Sequence, residues 1–262
     1  MNKKVVYGII VVIVIIAAAV LVFNSSSSSP LAVYDGKPVN QSQIVALESI
    51  AANTGLANKI GAGVDSPYPT ATSGYNVTMV NGKPTVIYIG AEYCPFCAVF
   101  RWGAIIALMR FGNLSSLHYM TSSSDNKEPF TSVPTFTFYN STYSSRYITF
   151  LPVEVENNTY GTLQQPSQLQ AAAAARFDSG GSIPFIDFGN QSIQIGIPQS
   201  ISPGYIKSLN WGQIIDQIGN SNTTISQAVL GEADVFTAEI CKIDNFTPAS
   251  VCSQPYVRAI VG

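Results

Sequence analysis

Cys94 and Cys97, two thiols three positions apart, are where the side-chain types and spacing of this 262-residue chain point to covalent chemistry. They frame Pro95 and Phe96, and apolar residues then recur at helical spacing from Ala98 to Phe111. A sulfur at a helix N-terminus faces unsatisfied N–H groups and the positive end of the helix dipole, which favour a thiolate. Such a thiolate attacks a disulfide, and a second thiol one turn further in resolves the mixed disulfide. Cys94 is therefore the expected nucleophile and Cys97 the expected resolver. Two other chemistries fit the spacing: a permanent crosslink, or half of a zinc site completed by Cys241 and Cys252. Glu92 reads either as a solvated turn residue or as a proton acceptor for Cys97. Tyr93 and Phe96 flank the exposed sulfur and could hold extended substrate segments, whereas Phe100 and Trp102 read as helix-face or core residues. His118, the sole histidine, lies on an apparent strand and reads as a packed or edge residue.

The elements around the motif follow from periodicity. Val77 to Val80, Asn81-Gly82 and Thr85 to Ile89 read as strand, tight turn and buried strand, so the motif sits at a strand-to-helix junction. A short amphipathic helix is expected from Asn40 to Asn53, with Asn40 or Ser42 as N-cap, and a loop from Gly61 to Gly74. Leu117 to Met120 reads as a strand, and Thr135 to Tyr139 with Tyr147 to Leu151 as a hairpin. Pro166 to Arg176 is alanine-rich and helical. Ile183 to Phe188, Gly189-Asn190 and Ser192 to Gly196 form a further strand, turn and strand before a helical stretch at Trp211 to Ile218. A helix from Thr223 to Ile243 leads into Cys241 and Cys252, most simply a structural disulfide.

Composition bounds the setting. Charged residues make up 11% of the chain and the net charge is −2, with basic residues scattered singly, so nucleic acid is excluded as a partner. Val5 to Phe23 is an apolar run preceded by Lys3 and Lys4, long enough to span a bilayer. The expectation is an uncleaved anchor at 1–23, with a cleaved signal peptide, for which Ala17 to Ala19 supply small residues, as the alternative, then a serine-rich linker at 24–32 and everything beyond it outside the cell membrane. Nine asparagines open N-x-[ST] acceptors, where chance predicts roughly three. They are Asn24, Asn40, Asn76, Asn113, Asn140, Asn157, Asn190, Asn222 and Asn245, the spread expected of a glycosylated exterior protein.

The run Lys83-Pro84-Thr85-Val86-Ile87-Tyr88-Ile89-Gly90-Ala91-Glu92-Tyr93-Cys94-Pro95-Phe96-Cys97 resembles the strand and active-site turn of thioredoxin-fold oxidoreductases, and Ile183-Pro184-Phe185-Ile186-Asp187-Phe188 resembles their second signature. In that family the proline is cis and lies beside the active-site disulfide, which implies that Ile183 and Pro184 supply the backbone that pairs with substrate. Val133-Pro134-Thr135 competes for this role, but the strand, turn, strand and helix that should follow are cleaner after Pro184. The long spacing resembles the Dsb-type branch, with an insertion at roughly 121–176. The whole chain also resembles an uncharacterised membrane-anchored family of thermoacidophilic archaea.

The expected fold class is therefore α/β: a thioredoxin-like domain over 76–220, a helical and loop segment over 33–75, and a C-terminal helix and disulfide loop over 221–262. The expected function is thiol-disulfide exchange with exported cysteine-containing proteins and a membrane electron-transfer partner, without metal or cofactor beyond the redox-active cysteine pair. The alternative from another class is a noncatalytic surface glycoprotein or binding module on the same scaffold.

Overall fold

In chain order the computed structural model, which describes residues 29–63, 69–198 and 201–262, begins with a 3-10 turn (Pro30–Tyr34) followed by two short α-helices. They are α1 (Gln41–Ala52) and α2 (Thr54–Ile60), divided by Asn53, whose carboxamide oxygen accepts from the Leu56 N–H and caps α2. Strands β1 (Thr70–Ala71), β2 (Met79–Val80) and β3 (Lys83–Gly90) follow. Asn81 and Gly82 both have positive φ, the backbone a two-residue hairpin turn between β2 and β3 requires. Helix α3 (Pro95–Met109) opens on a proline, whose missing N–H costs nothing in the first turn. After it come β4 (Gly112–Ser115), β5 (His118–Thr121), β6 (Pro134–Thr137), β7 (Thr142–Ser145), β8 (Thr149–Glu154) and α4 (Gln168–Phe177). The last part holds β9 (Phe185–Phe188), β10 (Ser192–Ile195), α5 (Trp211–Ile218), α6 (Thr224–Ile243), α7 (Ala249–Cys252) and α8 (Pro255–Val261). Ser167 with Gln170, and Asn210 with Gln213, form capping boxes that start α4 and α5.

The architecture is mixed α/β, and β3 is its axis. Along Thr85–Gly90 it pairs in parallel with β8, and along Val86–Ile89 it pairs antiparallel with β9. Strand β10 adds antiparallel to β9, and β1 to β10. Two-stranded sheets β4–β7 and β5–β6 stand apart from this one. Both faces of β3 are covered. Val86 and Tyr88 point into the larger core with α3 and α6, while Ile87 and Ile89 join Val153, Phe185, Ala173 and Ile193 on the other face. Each fully buried aliphatic side chain of this kind stabilises the fold by roughly 1.5–3 kcal/mol, which is why a strand apolar on both faces settles at the centre. Helix α3 lies against α6, with Phe100 packed on Phe236. Gly231 of α6 lets the Ala62–Gly63 backbone approach so closely that a Cβ there would lie 2.8 Å from the Ala62 carbonyl oxygen.

Several expectations change. Thr135–Tyr139 and Tyr147–Leu151 do not form a hairpin: β6 pairs with β5, and β8 pairs with β3. The apolar residues of β8 fit the edge of a buried strand better than they fit a local partner. The stretch expected as an insertion thus contributes β8, the parallel neighbour of the central strand, and α4. The anchor expected at 1–23, Asn24 and the linker up to residue 28 lie outside the described residues. No helix among the described residues is long and apolar enough to cross a membrane; the longest, α6, carries Glu232, Asp234, Glu239 and Lys242. That finding stands against the single-pass, membrane-anchored localisation as far as the described residues go, and the localisation is not carried further. The Cys241–Cys252 disulfide is present, with Cα atoms 5.5 Å apart, and ties the end of α6 to α7.

The carboxylates of α6 make stability depend on pH. Glu232, buried, accepts from the Gln194 carboxamide at 2.6 Å, and Asp234 lies 2.7 Å from the Arg110 guanidinium. Burial pushes Glu232 from 4.5 up to about 7, and Asp234 from 3.8 up to about 7 despite the arginine. Both groups hold their protons more tightly folded than unfolded, so the folded state binds more protons across the window from about pH 4 to about pH 7. Stability is full below that window and falls as pH rises through it. Thermal melting should therefore occur at higher temperature at acidic pH than at neutral pH, and Glu232→Gln should flatten the dependence.

Candidate functional site

The site is built where β3 ends and α3 begins. Gly90 closes the strand, the Glu92 N–H donates to the Glu156 carbonyl at 2.8 Å, and the Cys94 N–H donates to the Ala91 carbonyl at 3.3 Å. These bonds fold the connection into a tight turn that delivers Cys94 as the N-cap of α3. Its Sγ accepts from the Cys97 N–H at 3.2 Å, doing with sulfur what Ser or Asp does at other helix starts. Both cysteines are free thiols; Cys94 is 4% exposed and Cys97 fully enclosed.

The two sulfurs are electrostatically unequal. The hydrogen bond from the Cys97 thiol is the largest influence holding Cys94 below the ordinary thiol range. It outweighs the opposing effect of burial, with help from the Cys97 and Phe96 N–H groups and from Arg101. Burial, and then the same hydrogen bond, push Cys97 well above that range. Of the two sulfurs, Cys94 therefore ionises the more readily and Cys97 holds its proton the more tightly.

Ile183 and Pro184, 89 and 90 residues downstream, come to the same place. The Ile183 carbonyl oxygen lies 4.0 Å from Cys94 Sγ, and the Ile183–Pro184 bond is cis, unlike Val133–Pro134. Pro134 instead opens β6 behind α3, where its carbonyl accepts from the Trp102 indole N–H at 3.0 Å. Trp102 and Phe100 are core residues, as their helical spacing implies. Tyr93 and Phe96 are half-buried at the rim, each with an aromatic partner from a distant loop. Tyr93 packs on Tyr160 at 4.7 Å between ring centroids, and Phe96 meets Phe130 edge-on at 6.3 Å. Tyr160 and Phe130 were not readable as site residues, because they sit in segments without periodicity.

Beneath the sulfurs lies a buried ion pair. The Arg101 Nε and Nη2 donate to the two carboxylate oxygens of Glu154 at 2.8 and 2.7 Å, with both side chains wholly enclosed. Nη2 also donates to the Ala91 carbonyl at 2.7 Å. The sequence held one signal for it: Arg101 is the only charged residue in α3, and a lone cation on an apolar helix must find a buried partner. Glu92 does not fit either of its expected roles. It is buried rather than solvated, and its carboxylate faces Thr137, whose hydroxyl donates to it at 2.6 Å, rather than Cys97. Burial raises its pKa. Its charged neighbours are Arg101, Glu154 and Asp35.

Cys241 and Cys252 are bonded to each other, which removes them as zinc ligands for the Cys94–Cys97 pair. No cluster of three or more His, Cys, Asp or Glu side chains suited to a metal occurs among the described residues. His118 is half-buried on β5, opposite Thr137. Among the acceptor asparagines, Asn40, Asn76, Asn113, Asn140, Asn222 and Asn245 are exposed. Asn157 and Asn190 are half-buried and use their side chains in turns and in contacts to Thr78 and Arg176.

A family model described as a domain of unknown function (DUF929) matches residues 70–173, from β1 into α4. The match takes in Cys94, Cys97, Arg101 and Glu154 and stops short of Ile183 and Pro184. No curated protein and no solved structure matches the chain.

Proposed function

We propose that this chain is a thiol-disulfide oxidoreductase of thioredoxin-like fold that exchanges disulfides with cysteine-containing proteins. The observation that carries the reading is the unequal sulfur pair: Cys94 caps α3, accepts the Cys97 N–H at 3.2 Å and lies 4.0 Å from the Ile183 carbonyl oxygen. The order β3, α3, β8, α4, β9, β10, α6, with β8 parallel and β9 antiparallel to the central strand, supports the fold.

In the reductive direction, the Cys94 thiolate attacks one sulfur of a substrate disulfide, forming a mixed disulfide and expelling the other sulfur as a thiolate. Cys97 gives up its proton, which goes to the departing thiolates, and attacks the Cys94 sulfur. The substrate leaves with two electrons and the Cys94–Cys97 disulfide remains. Oxidation of a substrate dithiol runs the same steps in reverse. Tyr93, Phe96, Tyr160 and Phe130 supply the apolar rim for the chain around the substrate cysteine.

The test is trapping. With Cys97→Ser the second step is lost, so incubation with a cysteinyl-peptide disulfide should give a one-to-one adduct at Cys94, seen by mass spectrometry and released by reductant. A protein that remains unmodified under those conditions would count against exchange.

A further inference from the structure

Helix α3 buries one positive charge directly behind the cysteines, and the exchange steps above do not use it. Arg101 follows Cys97 by four residues and Cys94 by seven, which sets all three on one face of the helix. A single acceptor joins the guanidinium to the active-site turn: the Ala91 carbonyl receives both the Arg101 Nη2 hydrogen at 2.7 Å and the Cys94 N–H at 3.3 Å. Glu154 fixes the guanidinium from β8 with two bonds, leaving Nη1 buried and without a hydrogen-bond partner. The Tyr88 hydroxyl is equally buried and unpartnered, pressed against Gly90, where a Cβ would lie 2.0 Å from it. An enclosed cation that has bound its counter-ion and still keeps a free donor is poorly explained as a tether alone.

We infer that Arg101 is a positioning residue for thiol-disulfide exchange: clamped by Glu154 and the Ala91 carbonyl, its guanidinium is the buried positive charge that stabilises the thiolate form of the Cys94–Cys97 pair. The inference rests on the exchange reading and adds the group that tunes it. In a low-dielectric interior an opposite charge acts on a thiolate much more strongly than it does in water. Arg101 favours ionisation of both cysteines, and Glu154 opposes it at Cys97. The other ionisable groups facing this cluster are Tyr88 from β3, Glu92 and Tyr93 from the turn, and Asp35 beyond Glu92. Glu232 of α6 meets α3 at Gly103. Because the cation favours the reduced, ionised pair over the disulfide, it also makes the pair a stronger oxidant.

The experiment is the pH profile of Cys94 alkylation in the full chain, followed by mass spectrometry. Arg101→Met is combined with Glu154→Gln so that no buried carboxylate is orphaned, and circular dichroism reports folding. The profile midpoint should rise by about 1–3 pH units in the double variant, return toward the native value in Arg101→Lys, and not rise in Glu154→Gln. A folded double variant whose profile overlays the native one would reduce Arg101 to a structural link and overturn the inference. If the double variant does not fold, the single variants decide: a midpoint that rises in Glu154→Gln, or a folded Arg101→Lys as far displaced as the double variant should be, overturns it. Native Cys94 reacting like an ordinary exposed thiol would instead bring down the exchange reading itself.

Discussion

Cys94→Ser is expected to abolish disulfide exchange, with a rate loss on the order of 10⁴-fold or more, the scale seen when an enzyme loses its nucleophile. A serine hydroxyl at the same helix start meets the same N–H groups but does not ionise at any pH the fold tolerates, and an oxygen cannot join a disulfide cycle. Fold stability should barely change, because serine is itself a good N-cap. The measurement is the rate of reduction of a cysteinyl-peptide disulfide by protein supplied with excess small-molecule thiol. Native and Cys94→Ser proteins are compared at matched folded content. Equal rates in the two would place the chemistry elsewhere.

The second large effect concerns stability. Arg101→Met alone should cost about 3–5 kcal/mol, because it leaves the Glu154 carboxylate buried with neither its ion-pair partner nor two of its hydrogen bonds. Removing both charges, as in Arg101→Met/Glu154→Leu, should cost much less, since an enclosed pair replaced by apolar groups of similar volume is often near neutral. Urea unfolding of the native protein, Arg101→Met, Glu154→Leu and the double variant closes the double-mutant cycle, and a coupling energy of a few kcal/mol is the expected result. Additive losses would mean that the two residues stabilise the fold separately. Together with the alkylation profiles, this distinguishes what the pair does for the fold from what Arg101 does for the sulfurs.

Local chemistry in the chain was readable and distant pairing was not. The junction of β3 and α3 could be read because Thr85 to Ile89 is continuously apolar and Cys94-Pro95 marks a helix start; α3 begins at Pro95 rather than Ala98 because a proline at the first position is already helical. The β9–β10 hairpin was readable because Gly189-Asn190 carries its own turn signal, and both residues have positive φ. Strand β8 was recognised as a strand but given the wrong partner. Periodicity reports which residues are buried, and nothing in Thr149 to Glu154 names β3 as the neighbour. Glu154 was hidden for the same reason, since its partner Arg101 is 53 residues away. The rim partners Tyr160 and Phe130 arrive on loops whose course depends on the finished fold.

The most direct test of the central claim is the reduction potential of the Cys94–Cys97 pair, measured on the full chain equilibrated in defined thiol buffers. A value between about −120 and −270 mV, the range of dithiols that cycle in exchange, is expected. A disulfide reduced only at potentials below about −300 mV would be a permanent crosslink, and that result would contradict exchange.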